Sequence, residues 1–323
     1  MGKVGAASFT AALRSSFPKT RIAVLAGICG GVPFHGDGIE VCLGDVIISR
    51  TLVQYDLGRQ DPSKFVRKDT IHDNLGRPNH DIRALLGTFQ TECGLAQLQR
   101  GALSALNSLQ SKATETGRQT SYRPPAMAED HLFKPTYLHV HRARSNCGCS
   151  EIKACEAAAS ASCDEIPCEY QQSIPRKRLG SSQKQVTKVF VGDIASGDTV
   201  MKSGEHRDNL AKDLGVTALE MEGAGVWGQI PCIVVKGVCD YADSHKNDIW
   251  QPFAAAAAAA VTKALLSHYK QTDKSESSGR DAGASRFANF GAGQQFINAD
   301  GGTMNNISGN GKQYNAHTMT IKD

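Results

Sequence analysis

Three acidic clusters carry side chains able to move protons or grip hydroxyl groups: Gly197-Asp198, Glu220-Met221-Glu222 and Asp240. Each follows a short apolar run, so each falls where a strand ends, and a parallel sheet gathers such ends along one edge. Upstream, Gly27-Ile28-Cys29-Gly30-Gly31 offers backbone that a ligand can approach closely. Together these segments outline a small-molecule cleft. Taken singly, an Asp after a strand serves equally well as a helix cap, and Glu220 and Glu222 suit the first turn of a helix. A second group, His139, His141, Cys147, Cys149, Cys155, Cys163 and Cys168, has the side-chain types that bind zinc. Its C-x-C-x5-C-x7-C-x4-C spacing lacks paired C-x2-C knuckles, so the expectation is free cysteines in an irregular insertion, with no metal and no cofactor.

The elements that position these groups follow from apolar patterning. Residues 4–17 show helical spacing (Val4, Ala7, Phe9, Ala12, Leu13) and stop at Pro18. Arg21 to Ala26 is an apolar strand expected to end in a glycine-rich loop, Gly27 to Pro33. Leu43 to Ser49 is a second strand, extended by Leu52 to Tyr55, and a helical stretch covers roughly 81–110. Residues 112–185 are polar and Cys-rich and are expected to form a long excursion, with Arg176-Lys177-Arg178 as a solvated charge run. Strands return at Val186 to Val191 and Cys232 to Val238, with a short helix from Arg207 to Leu214. Seven consecutive alanines, Ala254 to Ala260, open a last helix that can press closely on a sheet. Strands alternating with helices define an α/β fold, a mixed and mostly parallel central sheet flanked by helices.

Composition removes several classes. Lys+Arg 36 against Asp+Glu 32 leaves +4 over 323 residues, too small and too evenly spread an excess for a nucleic-acid or anionic-membrane binder. No apolar run reaches the ~18 residues of a bilayer span. The N-terminus has no apolar signal core, which points to a cytoplasmic chain with reduced cysteines.

The runs Ser196-Gly197-Asp198, Glu220 to Gly225 (EMEGAG) and Lys236 to Asn247 (KGVCDYADSHKN), with Leu25 to Pro33 (LAGICGGVP) and Leu43 to Ser49 (LGDVIIS) upstream, carry a resemblance. In order and spacing they resemble the purine nucleoside phosphorylase/uridine phosphorylase superfamily, and more closely its fungal branch, in which the domain accompanies innate-immunity receptor-type proteins. The resemblance covers residues 1–270 apart from 112–185. It implies cleavage of a purine N-glycosidic bond in a homo-oligomer. Asp240 would deliver a proton to the base, its carboxyl kept protonated by an apolar setting of Val234, Val235 and Val238. Glu222 would hold the ribose hydroxyls, with Glu220 beside it and Met221 packing under the sugar. Val200 and Met201 would line the base, and Ser196 with Gly27, Ile28, Cys29 and Gly30 would close the site. Asp198 is expected to support the loop. Where phosphorylases of the family place an arginine and a hydroxyl residue for phosphate, this sequence has Leu25 and Ile28. An apolar pair cannot neutralise a buried phosphate dianion, so water is the expected nucleophile. Residues Gly2 to Ala6 match the middle of the family domain, so its opening strands are expected to be missing.

After Lys270 the composition changes. Residues 271–288 form a polar linker, and 289–323 are a tail dominated by Gly, Asn and Gln, in which Gly293 to Asn298 is echoed by Gly311 to Asn315. Amide and apolar residues with almost no charge suit cross-β stacking. The tail resembles fungal prion-like amyloid signalling motifs, which implies a receptor with a cognate motif; a disordered tail without a partner is the alternative.

Overall fold

A computed structural model of the chain describes residues 2–36, 38–120, 122–126, 129–142, 147–150, 152–163, 165–178 and 187–269, together with the backbone of 304–307 and 313–316. Helix α1 (Lys3–Ser16) is followed by strand β1 (Ala23–Gly31), the small hairpin β2 (Phe34–His35) and β3 (Ile39–Glu40), and the long strand β4 (Val46–Gln54). A second hairpin, β5 (Gly58–Gln60) and β6 (Phe65–Arg67), precedes helices α2 (His80–Phe89) and α3 (Glu92–Glu115). The stretch read as one helix over 81–110 is therefore two, because the Thr91 hydroxyl accepts from the Gly94 N–H and caps a fresh helix. Past the short α4 (Glu156–Ser160), the order is β7 (Val189–Ser196), α5 (Gly204–Leu214), β8 (Ala218–Glu220), α6 (Gly223–Trp227), β9 (Cys232–Asp240) and α7 (Gln251–His268).

The five principal strands close into a barrel in the order β1-β8-β7-β4-β9. β1 and β9, β4 and β7, and β7 and β8 run parallel; β1 and β8, and β4 and β9, run antiparallel. The sheet is mixed and mostly parallel, as the sequence indicated, and closure leaves no open edge. Side chains alternate across each strand. Val46, Ile48, Val189, Ile233 and Val235 face outward and form the main core with Ile82, Phe89 and Leu98 of α2 and α3 and the alanine run of α7. The intervening residues of β9, Val234, Lys236 and Val238, turn into the barrel. On another flank, Val32, Ala195, Val216, Leu219 and Ala242 pack with Leu210, Ala211 and Leu214 of α5.

Two expectations change. The strand before Gly27 does not stop there: β1 runs through the glycines to Gly31. A Cβ at Gly27 would sit 3.2 Å from Lys236 Nζ, and one at Gly30 would sit 2.8 Å from Ala242 Cβ and 3.0 Å from Asp240 Oδ1. These glycines make room for neighbouring side chains rather than forming a turn. Nor is the stretch after α3 a loose excursion. Asp130, Leu132, Phe133, His139, Val140 and Arg176 are all buried. Arg176 donates to Tyr241 Oη and to the Val41 carbonyl, both at 2.7 Å, and Arg178 pairs with Asp45. The run 176–178 is a structural clamp, not a solvated patch.

Residues Met1–Tyr269 form one compact unit and Lys270–Asp323 a second. In the second, β10 (Met304–Ile307) and β11 (Gln313–Ala316) pair antiparallel, with Asn305 opposite Asn315 and Asn306 opposite Tyr314. The linker 271–288 and the repeat unit Gly293 to Asn298 lie outside the described residues. Among the described residues, no helix is long and apolar enough to cross a membrane.

Candidate active site

Asp240 is the last residue of β9 and is 4% exposed. Its Oδ1 accepts from the Ala242 N–H at 2.8 Å, and its Oδ2 stands 2.7 Å from Lys246 Nζ and 3.2 Å from Cys239 Sγ. The expected apolar setting is thus replaced by an ion pair, because β-strand alternation sends Val235 to the helical side while the loop after β9 folds Lys246 back. Burial works against the charge of Lys246, yet Asp240 holds its pKa above the ordinary lysine value. Asp240 and Lys246 line a cavity walled by His131, Phe133, Tyr170 and His245. Phe133 and His245 stack with centroids 4.1 Å apart, and His131 and Tyr170 meet at a tilt with centroids 4.6 Å apart. Such a wall suits a flat, apolar-faced ligand with a polar edge. Burial pushes the thiols of Cys29 and Cys239 well up, which removes both as nucleophiles.

The second acidic cluster is organised by a residue the sequence analysis did not single out. Lys236 is 2% exposed, and its Nζ lies 2.7 Å from Glu222 Oε2 and 3.1 Å from Glu220 Oε2. Burial alone would depress this ammonium, but the two carboxylates outweigh it and hold its pKa above the usual lysine range. Glu220 also accepts from the N–H groups of Glu222 and Gly223. Met221 and Ile28 are half-buried. Ser196 is fully buried, and its hydroxyl accepts from the Ala224 N–H at 2.9 Å, which fixes the turn carrying Glu222. Met201 packs at the edge of the α5 core, whereas Val200 is 50% exposed. Asp198 accepts from the Lys3 N–H at 2.8 Å and supports the start of α1.

Asp240 and Gly30 therefore stand together, as do Glu220, Glu222, Lys236 and Gly27. Glu222 is not among the residues lining the Asp240 cavity. Lys236 carried a signal of its own: a lysine within Cys232 to Val238, an otherwise apolar strand, must find an anionic partner when buried. Three rings of the wall, His131, Phe133 and Tyr170, come from the Cys-rich insertion, which no periodicity tied to the barrel, and His245 comes from the loop after β9.

The fold is thus a closed, mixed α/β barrel wrapped by helices, with carboxylates at its strand ends. The chain matches the phosphorylase superfamily over residues 1–269 and belongs to it. It is similar to a nucleotide-binding leucine-rich repeat (NLR)-like protein of Hyaloscypha variabilis, 28% identical over 260 residues, which are 79% of this chain and 22% of that protein. It is also similar to an aminodeoxyfutalosine nucleosidase of Helicobacter pylori, 34% identical over 97 residues, 28% of this chain and 41% of that one. The chain thus spans about a fifth of the first relative and under half of the second. Among solved structures, the 5′-methylthioadenosine/S-adenosylhomocysteine nucleosidase of Neisseria meningitidis with methylthio-immucillin-A matches at 17% identity and TM-score 0.42, over 82% of this chain and 77% of that one.

Proposed function

We propose that the Met1–Tyr269 unit hydrolyses the N-glycosidic bond of a purine nucleoside. The observation that supports this most is the Asp240–Lys246 pair, buried at a strand end beside an aromatic wall. As the bond between C1′ and N9 breaks, its electron pair passes to the purine and N7 becomes basic. Asp240 takes up a proton as the substrate binds and gives it to N7, and the Lys246 ammonium, 2.7 Å away, neutralises the carboxylate left behind. Water adds to C1′, its spare proton goes to solvent, and solvent returns a proton to Asp240. Glu222 holds the ribose diol, with Glu220 and Lys236 fixing its position. Met221 packs under the sugar, and the backbone of Gly27 to Gly30 closes the site. Leu25 and Ile28 favour water over phosphate as the nucleophile.

In this reading the domain is a cytoplasmic effector. The tail, 289–323, takes an amyloid form templated by a receptor with a cognate motif. Membership of the phosphorylase superfamily and likeness to an NLR-like protein support the pairing of enzyme and receptor. The repeated amide-rich units support the tail's role.

Incubating the full chain with adenosine, inosine and guanosine, with and without phosphate, tests the activity. Free base released without phosphate, and lost in Asp240→Asn, is the expected result; strictly phosphate-dependent release makes the domain a phosphorylase. A second reading, a catalytically silent scaffold assembled by its tail, draws on Glu222 being tied to Lys236 rather than lining the Asp240 cavity. It prevails if no base is released and Asp240→Asn behaves as the parent. For the tail, a peptide covering 286–323 should form thioflavin-binding fibres, and lasting solubility at high concentration removes that role.

A further inference from the structure

The insertion between α3 and β7 draws its histidines and cysteines into two groups. In the first, the donor atoms of His141, Cys147, Cys149 and Cys155 all lie within 4.8 Å of one another. His141 Nδ1 is 3.5 Å from Cys155 Sγ and 3.7 Å from Cys149 Sγ. A tetrahedral zinc ion, with Zn–S of about 2.3 Å and Zn–N of about 2.0–2.1 Å, sets an N···S edge of roughly 3.6 Å. The observed separations match that edge. All four side chains are half-buried, and the cysteines are free thiols rather than disulfides. Backbone donors already point at the sulfurs: the Cys155 N–H lies 3.3 Å from Cys149 Sγ, and the Ala158 N–H 3.4 Å from Cys155 Sγ. Such donors stabilise thiolates that carry a metal.

The second group, His139, Cys163 and Cys168, likewise keeps its donor atoms within 4.8 Å of one another. A different observation supports it. His139 is 1% exposed, and its Nδ1 lies 3.0 Å from the Ala158 carbonyl. A carbonyl only accepts, so Nδ1 holds the hydrogen and Nε2 presents a lone pair. That Nε2 is buried with no well-formed hydrogen bond and has the Cys163 thiol as its neighbour, an arrangement that a metal ion shared by the two would satisfy. Ala158 serves both groups, its N–H on Cys155 and its carbonyl on His139.

We propose that residues 139–168 form a two-zinc element, with one ion held by His141, Cys147, Cys149 and Cys155 and the other by His139, Cys163 and Cys168. The first site, closed by four protein donors, has the form of a structural zinc site, while the second keeps one position for solvent. Cys163 also lines the Asp240 cavity, and the His139 N–H donates to Ser244 Oγ at 3.0 Å, two residues before Lys246. The metals thereby fasten an otherwise irregular segment against the loop that carries Lys246. The sequence pattern does not announce such sites, because their donors converge through folding over 30 residues rather than through a local knuckle.

The test is metal content by plasma mass spectrometry on the full chain purified without chelator. The expected result is two zinc ions per chain, falling to one in Cys149→Ser and to one in Cys163→Ser. One ion that survives Cys163→Ser but not Cys149→Ser overturns the second site and upholds the first; the reverse pattern overturns the first. Should either variant fail to fold, Co²⁺ replacement in the parent decides. Thiolate-to-cobalt charge transfer with intense tetrahedral visible bands supports the element, and a weak octahedral spectrum overturns it. Protein without zinc that takes none up, or a disulfide within either group, also overturns it.

Discussion

Lys236 Nζ lies 2.7 Å from Glu222 Oε2 with its side chain 3% exposed, so a strand-end acid is anchored from inside the barrel by a buried cation. Removing that cation leaves Glu220, whose side chain is fully buried, without a counter-charge. Lys236→Met should cost about 3–5 kcal/mol, read as a lower urea midpoint, and Lys236→Met with Glu220→Gln should recover part of it. The pH dependence follows in sign. The folded pKa of Lys236 is raised, so its contribution is whole below the unfolded lysine value of about 10.4 and is lost as pH rises through the folded one. The double variant should lack that alkaline limb.

Most strands of the barrel are legible in the apolar pattern, and two of their ends are misread for one reason. Strands were ended at Gly27 and Gly192, where glycine usually signals a turn, yet β1 and β7 run on to Gly31 and Ser196. In β1 the missing side chains leave space for Lys236 and Asp240 on the neighbouring strand, and space is a property of pairs of strands, not of a window of sequence. The acids were found because strand ends are visible in the apolar pattern. The Lys246 partner and the rings of His131, Phe133 and Tyr170 are not, because those contacts fold back over a loop or join segments far apart in the sequence.

In the proposed reaction Asp240 donates the proton and Lys246 neutralises the carboxylate that results. Asp240→Asn keeps shape but cannot pass a proton, so kcat should fall roughly 10²–10⁴-fold with KM little changed. Lys246→Met should lower kcat as well, by leaving the carboxylate formed on proton transfer without its counter-charge. Chromatography of released base measures both, and unchanged circular dichroism separates chemistry from folding. Equal rates in parent and Asp240→Asn would exclude the acid role.

Glu40 ties the end of the insertion to the first hairpin. Its carboxylate accepts from the N–H of Lys177 at 3.0 Å and of Arg178 at 2.9 Å. Burial raises its pKa, but those N–H groups and the charges of Arg176 and Arg178 carry it below the ordinary value of 4.5. Its stabilisation is therefore whole above about pH 4.5 and is lost as pH falls through the lower, folded value. Glu40→Gln should cost about 1–2 kcal/mol at pH 7, and the difference should shrink on acidification. Amide exchange at Lys177 and Arg178 should quicken in the variant at neutral pH.

The alanine run of α7 sets how near that helix comes to the barrel. Ala254, Ala256, Ala257, Ala258 and Ala260 are buried, while Ala255 and Ala259 are exposed. Beneath them, a Cβ on Gly237 of β9 would lie 2.0 Å from the Ala254 carbonyl oxygen. That obstacle is helix backbone, not the end of a flexible side chain, so relief requires moving α7 as a body. Such a shift opens the outward core formed with Ile233, Val235 and Leu98. Gly237→Ala should thus destabilise by about 3 kcal/mol, the upper end for an overpacked core, whereas Ala255→Leu on the exposed face should stay within about 0.5 kcal/mol. Denaturant midpoints of the two variants check this directly: comparable values would mean that α7 does not rest on β9 through its small side chains.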